Sequence, residues 1–391
     1  MKEIVIVGMS RTPLGSFQGS LASLTAPQLG AHAIKHALAR SGVKPEQVSE
    51  VLMGNVLPAG TGQAPARQAM IGAGIPKSTP AVTVNKVCGS GMKTVIQATQ
   101  TLHLGDAEVM IAGGMESMTN APYLLPNGRG GYRMGNGQVL DSMIVDGLWD
   151  PYKNQHMGNC GELCAREYKF SREEQDQFAI ESFKRAQAAQ AAGKFKSEIA
   201  PLTIAGKKGD TVIDTDEGPA KVMFDKVPTL KPVFDKAGTI TAANASTIND
   251  GAAALVLTTA DFAKANGLKP LARIVSYGSH AQEPDWFTTA PIPAMQKAAK
   301  AANWDLASVD LFEINEAFAV VPMAAARDLK IAHSKLNVWG GGISLGHPIG
   351  ASGARIIVTL VSALKDGGLK RGMAGICIGG GEGLAVCVEM I

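Results

Sequence analysis

Twice along this chain an apolar run of strand length ends on paired glycines: Val109-Met110-Ile111-Ala112-Gly113-Gly114 and Ala374-Gly375-Ile376-Cys377-Ile378-Gly379-Gly380. Each run sits in a stretch where such runs alternate with amphipathic segments. In the first stretch, residues 3–8, Glu50 to Gly54, Pro80 to Val87 and Glu108 to Gly114 read as buried strands. A helix capped by Thr25, with Pro27 in its first turn and Gly42 at its end, and a second helix from Met92 to Leu104 ended by Gly105, lie between them. His32 and His36 on the first helix read as surface residues. In the second stretch, Ala252 to Leu257, Leu271 to Val275, Asp310 to Ile314, Met373 to Ile378 and Leu384 to Val388 read as strands. A helix starts at about Ala354, after the glycine-rich run Gly340 to Gly353. Alternation of this kind predicts an α/β fold, with a mostly parallel sheet and helices on both faces. The repeated strand–Gly-Gly ending points to a duplicated βαβ unit.

From about Ser117 to Asn249 the texture changes. Residues 119–160 are rich in Gly, Asn, Pro, Met and Tyr with little periodicity, and so long an excursion carries function more often than not. The capping box Ser171-Arg172-Glu173-Glu174 opens a long helix that ends at Gly193, with Ala179, Phe183 and Ala186 on its buried side. Lys207-Lys208-Gly209-Asp210 reads as an exposed turn. The organisation expected is therefore 1–117 plus 250–270 as one half, 118–249 as an inserted loop domain, and 271–391 as the other half.

Composition narrows the function class. A net charge of +3 gives no reason to expect nucleic acid, and suits an anionic small substrate only weakly. Five cysteines, an odd number in a long chain, point to a reducing compartment. Cys160 and Cys164 have no second ligand pair nearby, so no metal is expected. No leader-type segment precedes the first strand, Val388-Glu389-Met390-Ile391 is no peroxisomal address, and no apolar run has membrane-spanning length. The expectation is a soluble cytoplasmic protein without membrane or nucleic-acid partners.

Four short stretches can carry chemistry. In Asn85-Lys86-Val87-Cys88-Gly89-Ser90-Gly91, Cys88 falls at a strand-to-helix turn, where free N–H groups and the helix dipole favour a thiolate or an oxyanion. The competing reading is a buried structural cysteine in a glycine-rich turn. His347, in Gly346-His347-Pro348, is held extended by the proline but could be a turn histidine. Asn315 in Asn315-Glu316-Ala317-Phe318 could be a cap, and Cys377 a core residue. A phosphate loop at 340–353 lacks both GK[ST] and a GxGxxG following a strand.

Taken together, Cys88-Gly-Ser-Gly, Asn315-Glu-Ala-Phe, Gly-His347-Pro and Cys377-Ile-Gly-Gly-Gly resemble the thiolase family, in order and approximate spacing, over nearly the whole length. The resemblance implies a five-layer α-β-α-β-α core of two thiolase-type halves with a loop domain between them, assembled as a homotetramer. Gln155-His156-Met157-Gly158 looks like the loop motif of the biosynthetic, acetoacetyl-CoA type. The implied activity is that of an acetyl-CoA C-acetyltransferase: condensation of two acetyl-CoA to acetoacetyl-CoA and CoA, or the reverse thiolysis, through an acyl-cysteine. These thioesters are substrates, and no cofactor is implied. By the same resemblance Cys88 is the nucleophile, His347 its general base and Cys377 the second acid/base. Asn315 holds a water that forms one oxyanion hole with His347, and the N–H groups of Cys88 and Gly379 form the other. Ser246, His156, Met157, Phe234 and Phe318 match positions along the CoA and pantetheine tunnel.

Three departures stand out. Asn159-Cys160-Gly161-Glu162 replaces the usual run after His-Met-Gly, and Phe287 stands where the biosynthetic enzymes carry Met. Residues 217–228 match no adenine-contacting stretch. The first two bear on chain length and leave a degradative 3-ketoacyl-CoA thiolase as the enzymatic rival. A decarboxylating ketoacyl synthase would use two histidines where this chain has Asn315 and His347. A non-catalytic CoA- or lipid-binding relative would be expected to lose Cys88 or His347.

Overall fold

The computed structural model describes residues 2–206 and 209–391, so Lys207 and Lys208 of the expected turn lie outside the described residues. Among the described residues ten strands make the central sheet, nine of them in its continuous order: β1 (Ile4–Arg11), β2 (Glu50–Gly54), β3 (Ala81–Val84), β4 (Val109–Ser117), β5 (Asn249–Thr259), β6 (Ala272–Ala281), β7 (Leu311–Ile314), β8 (Arg371–Ile378) and β9 (Glu382–Met390), with the two-residue Gly15–Ser16 paired to the start of β5. Six helices matter for the site: α1 (Ala26–Ser41), α2 (Ser90–Leu104), α3 (Met157–Tyr168), α4 (Arg172–Ala191), α5 (Pro291–Ala302) and α6 (Ile349–Gly367). Local signals set the helix ends. Thr25 and Ser171 close capping boxes on α1 and α4, and Gly42 and Gly105 stop α1 and α2 with φ of 76° and 89°.

The strand order β7-β8-β9-β6-β1-β5-β4-β2-β3 holds the duplication. Reading outward from the centre, β1-β5-β4-β2 in one half matches β6-β9-β8-β7 in the other. The two strands that ended on paired glycines, β4 and β8, are counterparts. The halves meet through a short antiparallel pairing of β1 with β6 at Ile4–Ile6. The expected mostly parallel sheet is corrected to a mixed one. Parallel pairing is confined to β7 with β8 and to β4-β2-β3, while β8–β9, β4–β5, β1–β5 and β6–β9 are antiparallel. Each half ends in a hairpin-like return that strand–helix alternation cannot reveal. In the second half Gly379–Gly381 makes that return directly; in the first, the whole excursion from 118 to 248 replaces it, leaving from Ser117 and rejoining at Asp250, its partner in the ladder.

Alternation along the strands fixes the layers. Val5 and Val7 of β1 pack with α1, whereas Ile4 and Ile6 face a cluster shared with α2, α6, and Ile376 and Ile378 of β8. Met373 and Cys377 of β8 turn the other way, toward α5. The result is the expected α-β-α-β-α stack, with α2 and α6 in the middle. α6 is buried from Ile349 through Leu364 because sheets and helices surround it.

Three local expectations need correction. The run 80–87 forms a strand only over Ala81–Val84, at the sheet edge rather than buried, and Val82 is 46% exposed. Among the described residues it pairs with β2 alone. α6 begins at Ile349 rather than near Ala354, because Gly350 and Gly353 are packing glycines inside a helix and not a loop. A Cβ on Gly353 would lie 2.4 Å from Met92 N. His32 and His36 are half-buried, with His32 Nε2 3.2 Å from the carbonyl of Ala200.

Candidate active site

Cys88 lies in a tight turn between β3 and α2. Gly89 N donates to Lys86 O (3.0 Å), and Ser90 Oγ accepts from Lys86 N (2.8 Å) while donating to Val87 O (2.7 Å). Val87 is held at φ 45°, a costly position for a β-branched residue. Gly89 lets this turn sit on the end of β8, since a Cβ there would lie 2.4 Å from Ile378 Cδ1. The backbone N–H groups of Gly379 and of Cys88 itself favour the anion at the sulfur, yet burial is the larger effect and pushes the thiol up to about 11. Of the two anions expected at this turn, a resting thiolate is disfavoured, because desolvation outweighs the N–H groups. The same pair of donors suits an oxyanion that forms only during reaction.

His347 precedes α6, and its N–H donates to Asn249 Oδ1 (3.0 Å). Gly346 has φ 119° and could carry no side chain, because a Cβ would lie 2.4 Å from the Asn249 carboxamide. Ser352 Oγ is bonded to Pro348 O (2.9 Å) and to His347 Nδ1 (2.6 Å). A hydroxyl has one proton, and the carbonyl can only accept, so Ser352 donates to Pro348 and accepts from Nδ1–H. That tautomer leaves Nε2 with a free lone pair. Burial first, and then the charge of Arg355, lowers the imidazole to about 3, so it is neutral at physiological pH. A neutral thiol beside a neutral imidazole is the resting couple.

Asn315, at the end of β7, puts Nδ2 3.5 Å from His347 Nε2, and its buried Oδ1 has no partner among the described residues. Below them, buried Glu116 accepts from Val56 N, Leu57 N, Gly350 N and Asn55 Nδ2, tying β4 to the start of α6.

A cleft of about 560 Å³ opens onto the sulfur. Cys88, His347, Gly379, His156, Met157, Phe234, Ser246 and Phe318 line it together. Asn315 and Cys377 do not. Asn315 reaches the cleft only through His347, and Cys377 is buried on β8, where the charge of a Cys88 thiolate adds to the burial that raises its thiol. His156 caps α3, its Nδ1 accepting from Gly158 N (3.1 Å), and stacks on Phe234 with ring centroids 4.6 Å apart. Phe318 meets Phe234 and Phe287 edge-on at 6.0 and 6.3 Å. Ser246 is placed by its N–H to Ala317 O (2.9 Å), next to Phe318. Sequence reasoning missed Ser352, Asn249 and Glu116, and also Met118, Ile144 and Leu148 of the cleft wall. Ser352 could have been found as the polar residue one helical turn after Pro348; the wall residues lie in the aperiodic excursion and carry no such signal.

Comparisons with known proteins agree with this architecture. A family model described as thiolase, N-terminal domain, matches residues 4–261, and thiolase, C-terminal domain, matches 268–390. The chain is 53% identical to an acetyl-CoA acetyltransferase of Cupriavidus necator over 100% of both chains. It is 51% identical to acetyl-CoA acetyltransferase 2 of Arabidopsis thaliana over 100% of this chain and 98% of that one. A crystal structure of the Bacillus anthracis acetyl-CoA acetyltransferase superposes with a TM-score of 0.98 at 39% identity, over 100% of this chain and 99% of that one. From both halves of its sequence and from its fold, this chain belongs to the thiolase family.

Proposed function

We propose that this enzyme is an acetyl-CoA C-acetyltransferase, condensing two acetyl-CoA to acetoacetyl-CoA and CoA and running the reverse thiolysis. The observation that carries the reading is that Cys88, an imidazole of His347 unprotonated at Nε2, and Gly379 line one aromatic-lined cleft. In the first half-reaction His347 Nε2 takes the Cys88 proton as sulfur attacks the thioester carbonyl. The oxyanion gathers charge against His347 and an Asn315-held water in one step, and against the Cys88 and Gly379 N–H groups in the other. His347 returns the proton to the departing CoA thiolate. In the second, His347 takes up the Cys377 proton, the Cys377 thiolate removes a methyl proton from the incoming acetyl-CoA, the carbanion displaces Cys88 as thiolate from the acetyl group, and His347 returns its proton to Cys88. Both half-reactions balance with protein groups alone, so no cofactor or metal is called for.

His156, Met157, Phe234, Ser246 and Phe318 would contact the pantetheine arm, and Lys221 at the cleft mouth would favour the anionic nucleotide end. On this reading residues 118–249 act as a loop domain covering the substrate. A homotetramer is supported by the exposed apolar side chains Tyr123, Leu125, Met134 and Val139 in that segment, and light scattering tests it. Free cysteines throughout support a cytoplasmic setting.

Acyl-chain preference tests the assignment. On this reading Phe287, Phe318 and Met157, which line the cleft, would also crowd the acyl end, and a misfitted methylene is worth about 1–3 kcal/mol. Thiolysis efficiency should fall steeply from acetoacetyl-CoA to longer 3-ketoacyl-CoA. A flat or rising series would assign the chain to the degradative type.

A further inference from the structure

One side of α6 is polar although the helix is buried from Ile349 through Leu364. Ser352, Arg355, Thr359 and Ser362, spaced three and four residues apart, form a stripe that starts at the His347 end. Arg355 is the unusual member. It is 1% exposed, and among the described residues none of its guanidinium nitrogens has a hydrogen-bond partner. Its ion-pair contact is with Glu313 Oε2 on β7 at 3.7 Å, and Glu313 stands two residues before Asn315. A buried guanidinium left without hydrogen bonds calls for an explanation other than stability.

We propose that Arg355 is a positioning residue for His347: its charge, buried on the helix that follows the base, disfavours the imidazolium and so the thiolate–imidazolium pair, and its tie to Glu313 keeps Asn315 against that imidazole. The charges around it support this. From β7 and the turn after it come Glu313, pushed up to about 8 by burial, and Glu316, also raised. From the loop before residue 200 comes Glu198, which is bonded to Arg11 of β1 (2.5 Å) and to Thr359 (3.1 Å). Arg11 is further paired with Asp216 (2.7 Å). Glu198 is thus committed to another cation, and Glu313 offsets Arg355 only in part at neutral pH. From β4, Glu116 faces the start of α6, raised to about 7. Arg355 is left largely uncompensated, and its charge adds to the larger effect of burial in disfavouring a positive charge on the imidazole. Without Arg355 the imidazole becomes more basic, so the thiolate–imidazolium pair gains population while the protonated imidazole gives its proton less readily to departing CoA.

The test is the rate of iodoacetamide modification at Cys88, located by peptide mass, beside acetoacetyl-CoA thiolysis at pH 7. Arg355→Met should speed labelling about tenfold for one unit of basicity gained, while turnover falls. Arg355→Lys, which keeps the charge, should restore wild-type labelling. Labelling that slows together with turnover, labelling that does not change, or a Lys variant that labels like the Met variant overturns the proposal. Should Arg355→Met fail to fold, the pair Glu313→Gln/Arg355→Met, which leaves no acid buried alone, carries the same expectation. The inference rests on His347 being the base, and His347→Gln separates the two ideas. Labelling indifferent to His347 defeats that reading, whereas labelling that needs His347 but ignores Arg355 defeats only this one.

Discussion

Replacing Gly91 by Ala should cost this enzyme more activity than stability. The two central helices cross with glycine on both sides, and one carries the nucleophile turn while the other follows the base. A Cβ on Gly91 would stand 2.8 Å from Ala354 N, 3.0 Å from Gly350 O and 3.1 Å from Ala354 Cβ. Two of these are backbone atoms of α6, so no side chain can swing aside. Ordinary contact is about 3.5 Å, so the helices must part by roughly 0.7 Å. Overpacking of this kind costs about 1–3 kcal/mol of stability, which a domain of this size survives. Misplacement by 1 Å can cost about 10²-fold in rate, so acylation should slow by roughly ten- to a hundredfold. The assay is single-turnover transfer of labelled acetyl from acetyl-CoA to protein, with denaturant unfolding run in parallel. A Gly91→Ala enzyme that acylates at the wild-type rate would show that the helix crossing does not set the distance between Cys88 and His347.

Two further outcomes are expected. Cys377→Ala should abolish condensation and thiolysis yet leave Cys88 able to accept an acetyl group, counted as label retained on protein beside acetoacetyl-CoA formed; condensation near the wild-type rate would reduce Cys377 to a core residue. Glu313→Gln should flatten the dependence of thermal stability on pH. The folded carboxyl is raised to about 8, so its contribution is full below the ordinary carboxyl value and is lost as pH rises through 8. Wild type should decline relative to the variant across that window by up to roughly 1.4 kcal/mol per pH unit, and parallel melting curves would contradict the buried, raised carboxyl.

The sequence carried local information well. Thr25, Ser171, Gly42 and Gly105 mark helix ends because each signal is chemistry within a few residues. The strand–Gly-Gly echo identified β4 and β8 as counterparts before their place in the sheet was visible. What stayed hidden depends on partners far along the chain. Pairing direction is decided by which strands meet, and β5, which brings antiparallel pairing into the first half, follows an excursion of more than a hundred residues. Gly350 and Gly353 looked like a loop, since nothing local tells a packing glycine from a turning one. The protonation of Cys88 went the opposite way to the helix-dipole argument, because burial is a property of the whole fold. Asn249 and Ser352, which set the orientation and tautomer of His347, were legible only once their hydrogen bonds were seen.

The central claim is that Cys88, a neutral thiol at rest, carries the acyl group. Incubating the enzyme with acetyl-CoA alone, quenching, and mapping peptides by mass tests it most directly. The account predicts acetyl on Cys88 in wild type, and none on any residue in Cys88→Ala. An acetyl group on Cys160 or Cys377, or an unmodified protein that still forms acetoacetyl-CoA, would contradict it.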